Sequence, residues 1–144
     1  MKSMLTLALC CLSSSTLLAA GNGPPRQPIK PPFDCIQVQQ INAWHVVNDH
    51  TLTVGNGPKY FRVNLQSRCP QLTYGAPALR FHASESNKAM GLPVICGEIG
   101  ESASGHDGPP CPIQSVIRIN ADAYRRLNTA SQRSGSGANQ PTRP

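Results

Sequence analysis

A chain of 144 residues with a formal net charge of +6 is long enough for a single domain, and its composition excludes some classes of protein. The aromatic residues, one Trp, three Tyr and three Phe, are too few for the base-stacking platforms of a nucleic-acid-binding protein. Part of the basic excess lies in the terminal segments. We therefore expect no nucleic-acid partner and only weak attraction to anionic polymers or lipids of a cell envelope.

The first 20 residues have the pattern of a cleavable export signal. Lys2 supplies a charged start, an apolar stretch runs from Leu5 to Leu18, and Ala19-Ala20 provides small residues at a cleavage point. A membrane anchor is less favoured, because Ser13 to Thr16 interrupts an apolar run already shorter than the roughly 20 residues that a bilayer requires. The pattern predicts a signal peptide at 1–20, no membrane segment after its removal, and a periplasmic or secreted location.

Removal of this signal leaves an even set of four cysteines, Cys35, Cys69, Cys96 and Cys111. In an oxidising compartment they predict two disulfides, for which three pairings exist. We expect Cys35–Cys69 and Cys96–Cys111, since each of these bridges closes a loop of its own and stabilises the fold by roughly 3 kcal/mol. A zinc site is not expected, because no two of these cysteines have the spacing of C-x-x-C ligands.

Two segments without apolar periodicity flank the part of the chain that can fold. Residues 21–32 are rich in proline and predict an extended linker, and residues 129–144 predict a disordered basic tail. The part between them, residues 33–128, suits one small domain. Such a domain buries a small core, so two disulfides are physically reasonable.

Alternation of apolar and polar residues predicts most strands in the first half of this domain. The opening segment, Ile36 to Ile41, mixes two periodicities and fits either a strand or a single helical turn. A hairpin follows. Its first strand begins at Trp44, its second strand ends at Val54, and the polar corner Asn48-Asp49-His50 lies between them. The clearest strand is Tyr60 to Leu65, in which one face is apolar and the other polar.

The second half contains weaker signals. Leu72 to Ala83 predicts a fourth strand broken at Gly75 and Pro77, and residues 93–96 a short fifth strand. Residues 84–91 and 97–110 predict loops. A last strand from Cys111 to Ile119 precedes a short helix that Asn120 caps and that extends to about Leu127. The fold class is mainly all-β: a small antiparallel barrel or curled sheet of five to six strands, stabilised by disulfides, with a short C-terminal helix.

The pair Asp49-His50, with His45 nearby in sequence, has the residue types of an acid–base site. It lies at a predicted hairpin corner, and general catalysis needs a cleft and a third group that orients the imidazole. Asn, Asp and His are also the residues that such a corner prefers. We therefore interpret them as turn residues.

The loop at 102–107 contains Ser102, Ser104, His106 and Asp107, a set that a small hydrolase could use. It lacks the second glycine of a G-x-S-x-G nucleophile elbow, and triad residues normally come from separated segments of the chain. Scattered histidines also lack the spacing of a metal site. We expect no catalytic residues, no metal and no cofactor.

The leading functional hypothesis is a non-catalytic envelope binding or accessory module, whose partner is an envelope protein or an anionic polymer. Aromatic and Arg residues are common anchors at interfaces, although Trp44 is most simply a core residue. An alternative is an inhibitor or immunity-type protein of a periplasmic enzyme, in which the loop between Cys96 and Cys111 fills a cleft. The candidate contact residues are Trp44, Tyr60, Arg62, Asn64, His106 and Asp107.

A series of residues, mostly in the first half of the domain, has a recognisable order: Cys35, Ile36, Ile41, Trp44, Val46, Val47, Asp49, Thr51, Leu52, Val54, Tyr60, Val63, Leu65, Cys69, Leu72, Cys96, Cys111 and Ile113. This order resembles DUF6491, a family of small exported proteobacterial proteins of unknown function, over roughly residues 34–119. The resemblance implies a Gram-negative envelope location and a small cysteine-containing β-rich domain, and it implies no activity. The glycine-rich stretch before Cys111 and the basic tail depart from the family's pattern.

Overall fold

The computed structural model of the chain describes residues 30–74, 78–105 and 108–137. The predicted signal peptide and most of the predicted linker lie outside these residues. Within them the strands are β1 Ile36–Gln37, β2 Ile41–Asn48, β3 Thr51–Asn56, β4 Lys59–Leu65, β5 Leu79–His82, β6 Val94–Ile95, β7 Ser102–Gly105, β8 Cys111–Ile119 and β9 Arg133–Gly135. The α-helices are α1 Gln71–Tyr74, α2 Glu85–Ala89 and α3 Ala121–Asn128.

Seven strands form one antiparallel sheet in the order β5-β7-β8-β4-β3-β2-β9, which is nearly closed into a barrel. β1 and β6 pair separately, with Ile36 opposite Ile95. The predicted fold class, a mainly β barrel or curled sheet with disulfides and a C-terminal helix, is confirmed. The main sheet has more strands than the five or six predicted, because β7 and β9 lie in Gly- and Ser-rich segments that carry no apolar alternation.

The apolar face of the central strands forms the core of the barrel. In β4 the alternation is as predicted: Phe61, Val63 and Leu65 are buried, whereas the side chains between them face outward. Trp44 on β2 is the largest fully buried side chain, and Val54 pairs with it across the β2–β3 ladder. The sheet therefore has an inner apolar face and an outer polar face, as the period-2 pattern requires.

The opening segment adopts both of the conformations that its mixed periodicity allowed. Ile36–Gln37 is strand β1, and Val38–Gln40 forms one 3-10 turn before β2 begins at Ile41. The change from strand to 3-10 turn allows the chain to join the main sheet while the side chain of Ile36, which is 0% exposed, packs in the core.

The expected disulfide pairing is wrong: the bridges are Cys35–Cys96 and Cys69–Cys111. The register of β1 against β6 explains the first, because Ile36 opposite Ile95 places Cys35 and Cys96 at the next position, with their Cα atoms 4.5 Å apart. The antiparallel pairing of β4 with β8 explains the second, since it brings the chain after β4 to the start of β8. Sheet register therefore decided the pairing, and loop length did not.

Three predicted loops or strands differ in the structure. The polar stretch 84–91 contains α2, which Ser84 caps by accepting a hydrogen bond from the Asn87 backbone N–H. The stretch 97–110 contains β7, paired with β5 on one side and β8 on the other. Residues 72–74, expected to begin the broken fourth strand, lie in α1. Short elements of this kind form through tertiary contacts, which local patterns do not encode.

Strand β9 lies within the predicted tail, residues 129–144, and pairs with β2. Residues 138–144 of that predicted tail lie outside the described residues. The backbone of Gly135 lies directly on the indole of Trp44: a Cβ at position 135 would be 2.5 Å from Trp44 Cζ2. The Arg133 guanidinium stands 5.9 Å from the Trp44 ring centroid and donates a hydrogen bond to the Leu72 carbonyl oxygen. The C-terminal strand therefore covers the central core residue.

The predicted C-terminal helix is present as α3. Asn120 caps it as expected, because its Oδ1 accepts a hydrogen bond of 2.8 Å from the Ala123 backbone N–H. The helix lies across the outer face of β2, β3 and β4.

Candidate functional site

The outer face of β4 was the first candidate contact surface, and α3 covers part of it. The ring of Tyr60 stacks on Tyr124 of α3, with centroids 4.4 Å apart, and His45 contacts Tyr124 edge-on. Asn64 donates a hydrogen bond of 2.8 Å to Ser115 on β8. Tyr60, Arg62 and Asn64 share a face as predicted, but they are half-buried, which reduces the area they offer to a partner.

Two buried polar atoms on this covered face, His45 Nδ1 and Arg62 Nε, have no hydrogen-bond partner within the described chain. Burial lowers the pKa of His45 and raises the pKa of Tyr124, because desolvation disfavours the charged form of each. Thr53, which lies between His45 and Arg62 in the ladder, donates instead to Asn128 of α3. The outer face thus holds a polar layer that helix α3 shields from solvent.

Trp44 belongs to the opposite face. Its side chain is 0% exposed and packed in the core, so it does not share a surface with Tyr60 and Arg62. The simpler interpretation of this tryptophan, as a core residue, is the one the structure supports.

The polar corner between β2 and β3 has the features of a turn. Asn48 Oδ1 accepts a hydrogen bond of 2.9 Å from the His50 backbone N–H, which is the self-bonding expected of a turn asparagine. Arg68 Nε donates a hydrogen bond of 2.6 Å to Asp49 Oδ2, and this hydrogen bond lowers the pKa of Asp49. His45 lies on the strand, away from this corner in the ladder. The geometry matches turn chemistry.

The serines of the 102–107 loop lie on strand β7, and one of them contacts His82, which the sequence offered only as a possible metal ligand. Ser104 Oγ is 3.0 Å from His82 Nε2 on β5. His106 and Asp107 lie outside the described residues. In the described part of the chain no carboxylate is hydrogen-bonded to His82, and Ser104 is only 6% exposed. A nucleophile needs both an oriented base and access for a substrate, and this pair shows neither.

The segment with the most prominent exposed apolar side chain is residues 97–100, which we call the contact loop. Ile99 at its tip is 83% exposed. Gly97 and Gly100 have φ values of +90° and +91°, which only glycine adopts readily, so these two residues set the shape of the loop. The disulfide from Cys96 to Cys35 joins the start of the loop to the β1 end of the small sheet.

A buried carboxylate holds the contact loop from beneath. Glu101 is 1% exposed, and its Oε2 accepts hydrogen bonds from the backbone N–H groups of Cys96, Gly97 and Glu98 at 3.0, 2.6 and 3.0 Å. Asn87 of α2 donates weakly, at 3.3–3.5 Å, to Glu98 and Glu101. Backbone donors of this kind are a compact anion-binding nest, here filled by the chain's own side chain.

The pKa of Glu101 is raised, and the causes oppose one another. Desolvation by burial is the largest cause and raises the pKa. The three backbone hydrogen bonds lower the pKa, and the negative charge of Glu98 raises it. The sequence did not identify Glu101, because a single acidic residue in a glycine-rich stretch resembles a solvated loop residue. The paired glycines at 97 and 100 were the available signal, since they indicate a loop with a defined backbone.

Two more exposed apolar side chains lie on a segment that hydrogen bonds of Asn87 join to the contact loop. Met90 and Leu92 follow α2 directly, and they are 64% and 38% exposed. Asn87 connects the two segments, because its side chain reaches Glu98 and Glu101 while its carbonyl oxygen accepts the Leu92 N–H. We call Met90, Leu92 and Ile99 together the apolar surface.

Among the residues for which the structure gives positions, no three His, Cys, Asp or Glu side chains come together as metal ligands. Likewise, none of the helices described there has the length and apolar character needed to cross a bilayer.

The fold and these sites define a small disulfide-bonded β-barrel protein with a rigidly held surface loop. The sequence profile of DUF6491, a family of unknown function, matches residues 1–135, and the chain belongs to this family. The resemblance noted in the sequence is thereby confirmed, and the match includes β9, which lies in the predicted tail. No curated protein and no solved structure matches the chain.

Proposed function

We propose that this protein is a non-catalytic, exported binding module that uses the apolar surface to hold a protein partner in a bacterial envelope. The predicted signal at 1–20 and the two disulfides support export, because disulfides persist in oxidising compartments. The observation that carries the proposal is Ile99, exposed at 83% on a loop that the buried Glu101 fixes.

The physical argument concerns preorganisation. An exposed aliphatic side chain costs free energy in water, and exposed apolar clusters often mark protein interaction sites. A flexible loop would lose conformational entropy on binding, whereas a loop already held by three hydrogen bonds and a disulfide loses less. The contact loop, which is part of the predicted 97–110 loop, therefore suits a protein partner better than the face of Tyr60, Arg62 and Asn64 that α3 covers.

The test is a quantitative pull-down from envelope extract with immobilised mature protein. Ile99→Asp places a charge on the most exposed side chain of the apolar surface, and Tyr74→Asp is the matched control, since Tyr74 is 76% exposed on α1 outside that surface. We expect a partner that the wild type and Tyr74→Asp retain and that Ile99→Asp loses. Equal retention by both variants, or no retention above background at low salt, contradicts the proposal. Equal thermal stability of the variants checks that folding is unaffected.

The inhibitor or immunity-type alternative is favoured by the same rigid loop. A loop that fills an enzyme's cleft stays ordered and resists proteolysis, whereas a spacer is cleaved readily. If the captured partner is an enzyme, the wild type should inhibit it and Ile99→Asp should not. Cleavage within residues 97–100 at the rate of an unfolded peptide would count against this role.

The hydrolase alternative has one observation in its favour, the contact between His82 and Ser104. A serine nucleophile reacts with fluorophosphonate probes, so labelling of the wild type that Ser104→Ala abolishes would support it. We expect no labelling, because the described residues give this pair no cleft and no acid.

A further inference from the structure

Helix α3 is held on the outer face of the sheet by few contacts. None of its eight residues is fully buried, and in the described part of the chain one side-chain hydrogen bond joins it to the sheet, from Thr53 on β3 to Asn128. The ring of Tyr124 adds two ring contacts, stacked on Tyr60 and edge-on to His45. A helix of this length is marginal in water without tertiary contacts. The position of α3 therefore depends on the side chains beneath it, of which His45 is of the type that titrates near neutral pH.

His45 lies in a row of outward-facing side chains that crosses the sheet. Its neighbours across the ladders are Ser134 on β9 and Thr53 on β3, and Thr53 in turn pairs with Arg62 on β4. Nδ1 of His45 is buried and has no hydrogen-bond partner among the described residues. A neutral imidazole can carry its proton on Nε2 and leave only a lone pair at this buried position. Protonation places an N–H donor there without an acceptor, which is costly.

The sheet offers no negative charge to a protonated His45. Thr53 and Ser134, its direct neighbours, are uncharged. Arg62 lies two strands away, roughly 10 Å at Cα, and its own Nε is buried without a partner in the described chain. A charge on His45 would therefore be the second cation in the layer beneath the helix, and burial already lowers the pKa of this imidazole.

Helix α3 does not supply a counter-charge either. Its carboxylate, Asp122, is exposed and forms an ion pair with Arg125, and Arg126 is a further exposed cation. Carbonyl oxygens of its last turn already accept hydrogen bonds from the backbone N–H groups of residues 129–131. The phenol of Tyr124 is neutral, because burial raises its pKa. With α3 in place, the imidazole is therefore held in its neutral form.

We propose that α3 is a latch over the outer face of the sheet and that protonation of His45 opens it. Release of the helix admits water to the charged imidazole, so that both ring nitrogens are hydrated. The helix stays joined to β8 and β9, so it returns when the ring loses its proton. Opening exposes Tyr60 and Arg62, residue types that are enriched at protein interfaces. The latch goes beyond the proposed protein-binding function and uses none of the residues of the apolar surface.

The test is backbone amide hydrogen exchange of the ¹⁵N-labelled protein by NMR, expressed as protection factors that correct for the intrinsic effect of pH. Only the open state binds the proton, on an exposed imidazole with a pKa of about 6.5. Opening of α3 should therefore increase about tenfold or more between about pH 7.5 and about pH 5. We expect the protection of residues 124–128 to fall by this factor, while that of residues 61–63 on β4 is retained.

Two substitutions at His45 separate the effect of its charge from that of its ring. His45→Gln and His45→Phe should both abolish the pH dependence, because neither side chain titrates. His45→Phe also keeps a ring edge against Tyr124, so it remains informative if His45→Gln loosens the helix at every pH. The matched control is His50→Gln, which changes an exposed histidine of the β2–β3 turn and should respond to pH as the wild type does.

Three results would overturn the proposal. Protection of α3 that is equal at the two pH values would show that no latch opens. A wild-type pH response in both His45 variants would place the titrating group elsewhere. A parallel loss of protection on β4 would indicate that the whole domain unfolds in acid. The measurement involves no partner, so its outcome is independent of whether the apolar surface binds a protein.

Discussion

Replacement of Gly135 by alanine tests the packing of the C-terminal strand on the core. A Cβ at this position would lie 2.5 Å from Trp44 Cζ2, 2.7 Å from Cε2 and 3.0 Å from Nε1. Real Cβ atoms do not approach other atoms so closely, and the indole is 0% exposed with no free space to move into. Either the core around Trp44 rearranges or β9 detaches from β2.

The expected loss of unfolding free energy in Gly135→Ala is set by the less costly of these two responses. Overpacking a core typically costs about 1–3 kcal/mol. Detachment loses the contact between Arg133 and the Trp44 ring, worth about 0.5–1 kcal/mol. It also loses the Arg133 hydrogen bond to Leu72, worth about 1.5–3 kcal/mol, but the freed tail gains entropy. We expect the free energy of unfolding to fall by about 2 kcal/mol, and Tm by roughly 10 °C.

The assay uses the one tryptophan of the chain as a reporter. If β9 detaches, the emission of Trp44 shifts to longer wavelength in the folded state, and urea denaturation reports the loss of stability. Ser134→Ala is the control, since Ser134 lies in the same strand and is exposed. A truncation after Ser131 removes β9 altogether, so it should shift the Trp44 emission at least as far as Gly135→Ala does. Wild-type emission and stability in Gly135→Ala would refute the reasoning.

Three further predictions concern the carboxylate, the disulfides and the helix cap. Glu101→Gln should lower the free energy of unfolding by about 1–3 kcal/mol at neutral pH, because an amide N–H₂ then faces backbone donors. The control Glu85→Gln changes an exposed side chain and should leave the free energy of unfolding unchanged. Because the native pKa of Glu101 is raised above 4.5, wild-type stability should fall as pH rises through that native pKa, and the variant should lack this fall. Replacing Cys35 and Cys96 by serine should lower the free energy of unfolding, measured by urea denaturation, by about 4 kcal/mol, because the bridge spans a separation of 61 residues. A peptide map that joins Cys35 to Cys69 would contradict the structure. Asn120→Ala should cost about 1 kcal/mol and speed hydrogen exchange in α3, and unchanged exchange there would count against the cap.

The parts of the fold that the sequence predicted are those in which a local pattern and a tertiary role coincide. Phe61, Val63 and Leu65 alternate with polar residues because one face of β4 is buried, and the alternation is visible without knowing what covers that face. The Asn48 turn and the Asn120 cap depend on hydrogen bonds between a side chain and a backbone N–H two or three residues further on, so the local sequence predicted them too.

The candidate site was less predictable, because its residues are defined by distant partners. Glu101 appeared as one polar residue among glycines, and only the folded chain brings three backbone N–H groups to its carboxylate. The sequence offered His82 only as a possible metal ligand, and its contact with Ser104 arises from the β5–β7 pairing. The face of Tyr60 was expected to be solvated, but α3 folds back over it.

The sequence by itself determined the class of the fold, the even set of cysteines and the end helix, since periodicity, residue type and capping act over a few residues. The tertiary structure decided which cysteines pair, that Gly135 packs on Trp44, and that the loop at 97–100 has a fixed shape. These features depend on the register between strands far apart in the chain. Register is a collective property of the sheet, so no short stretch of the sequence contains it.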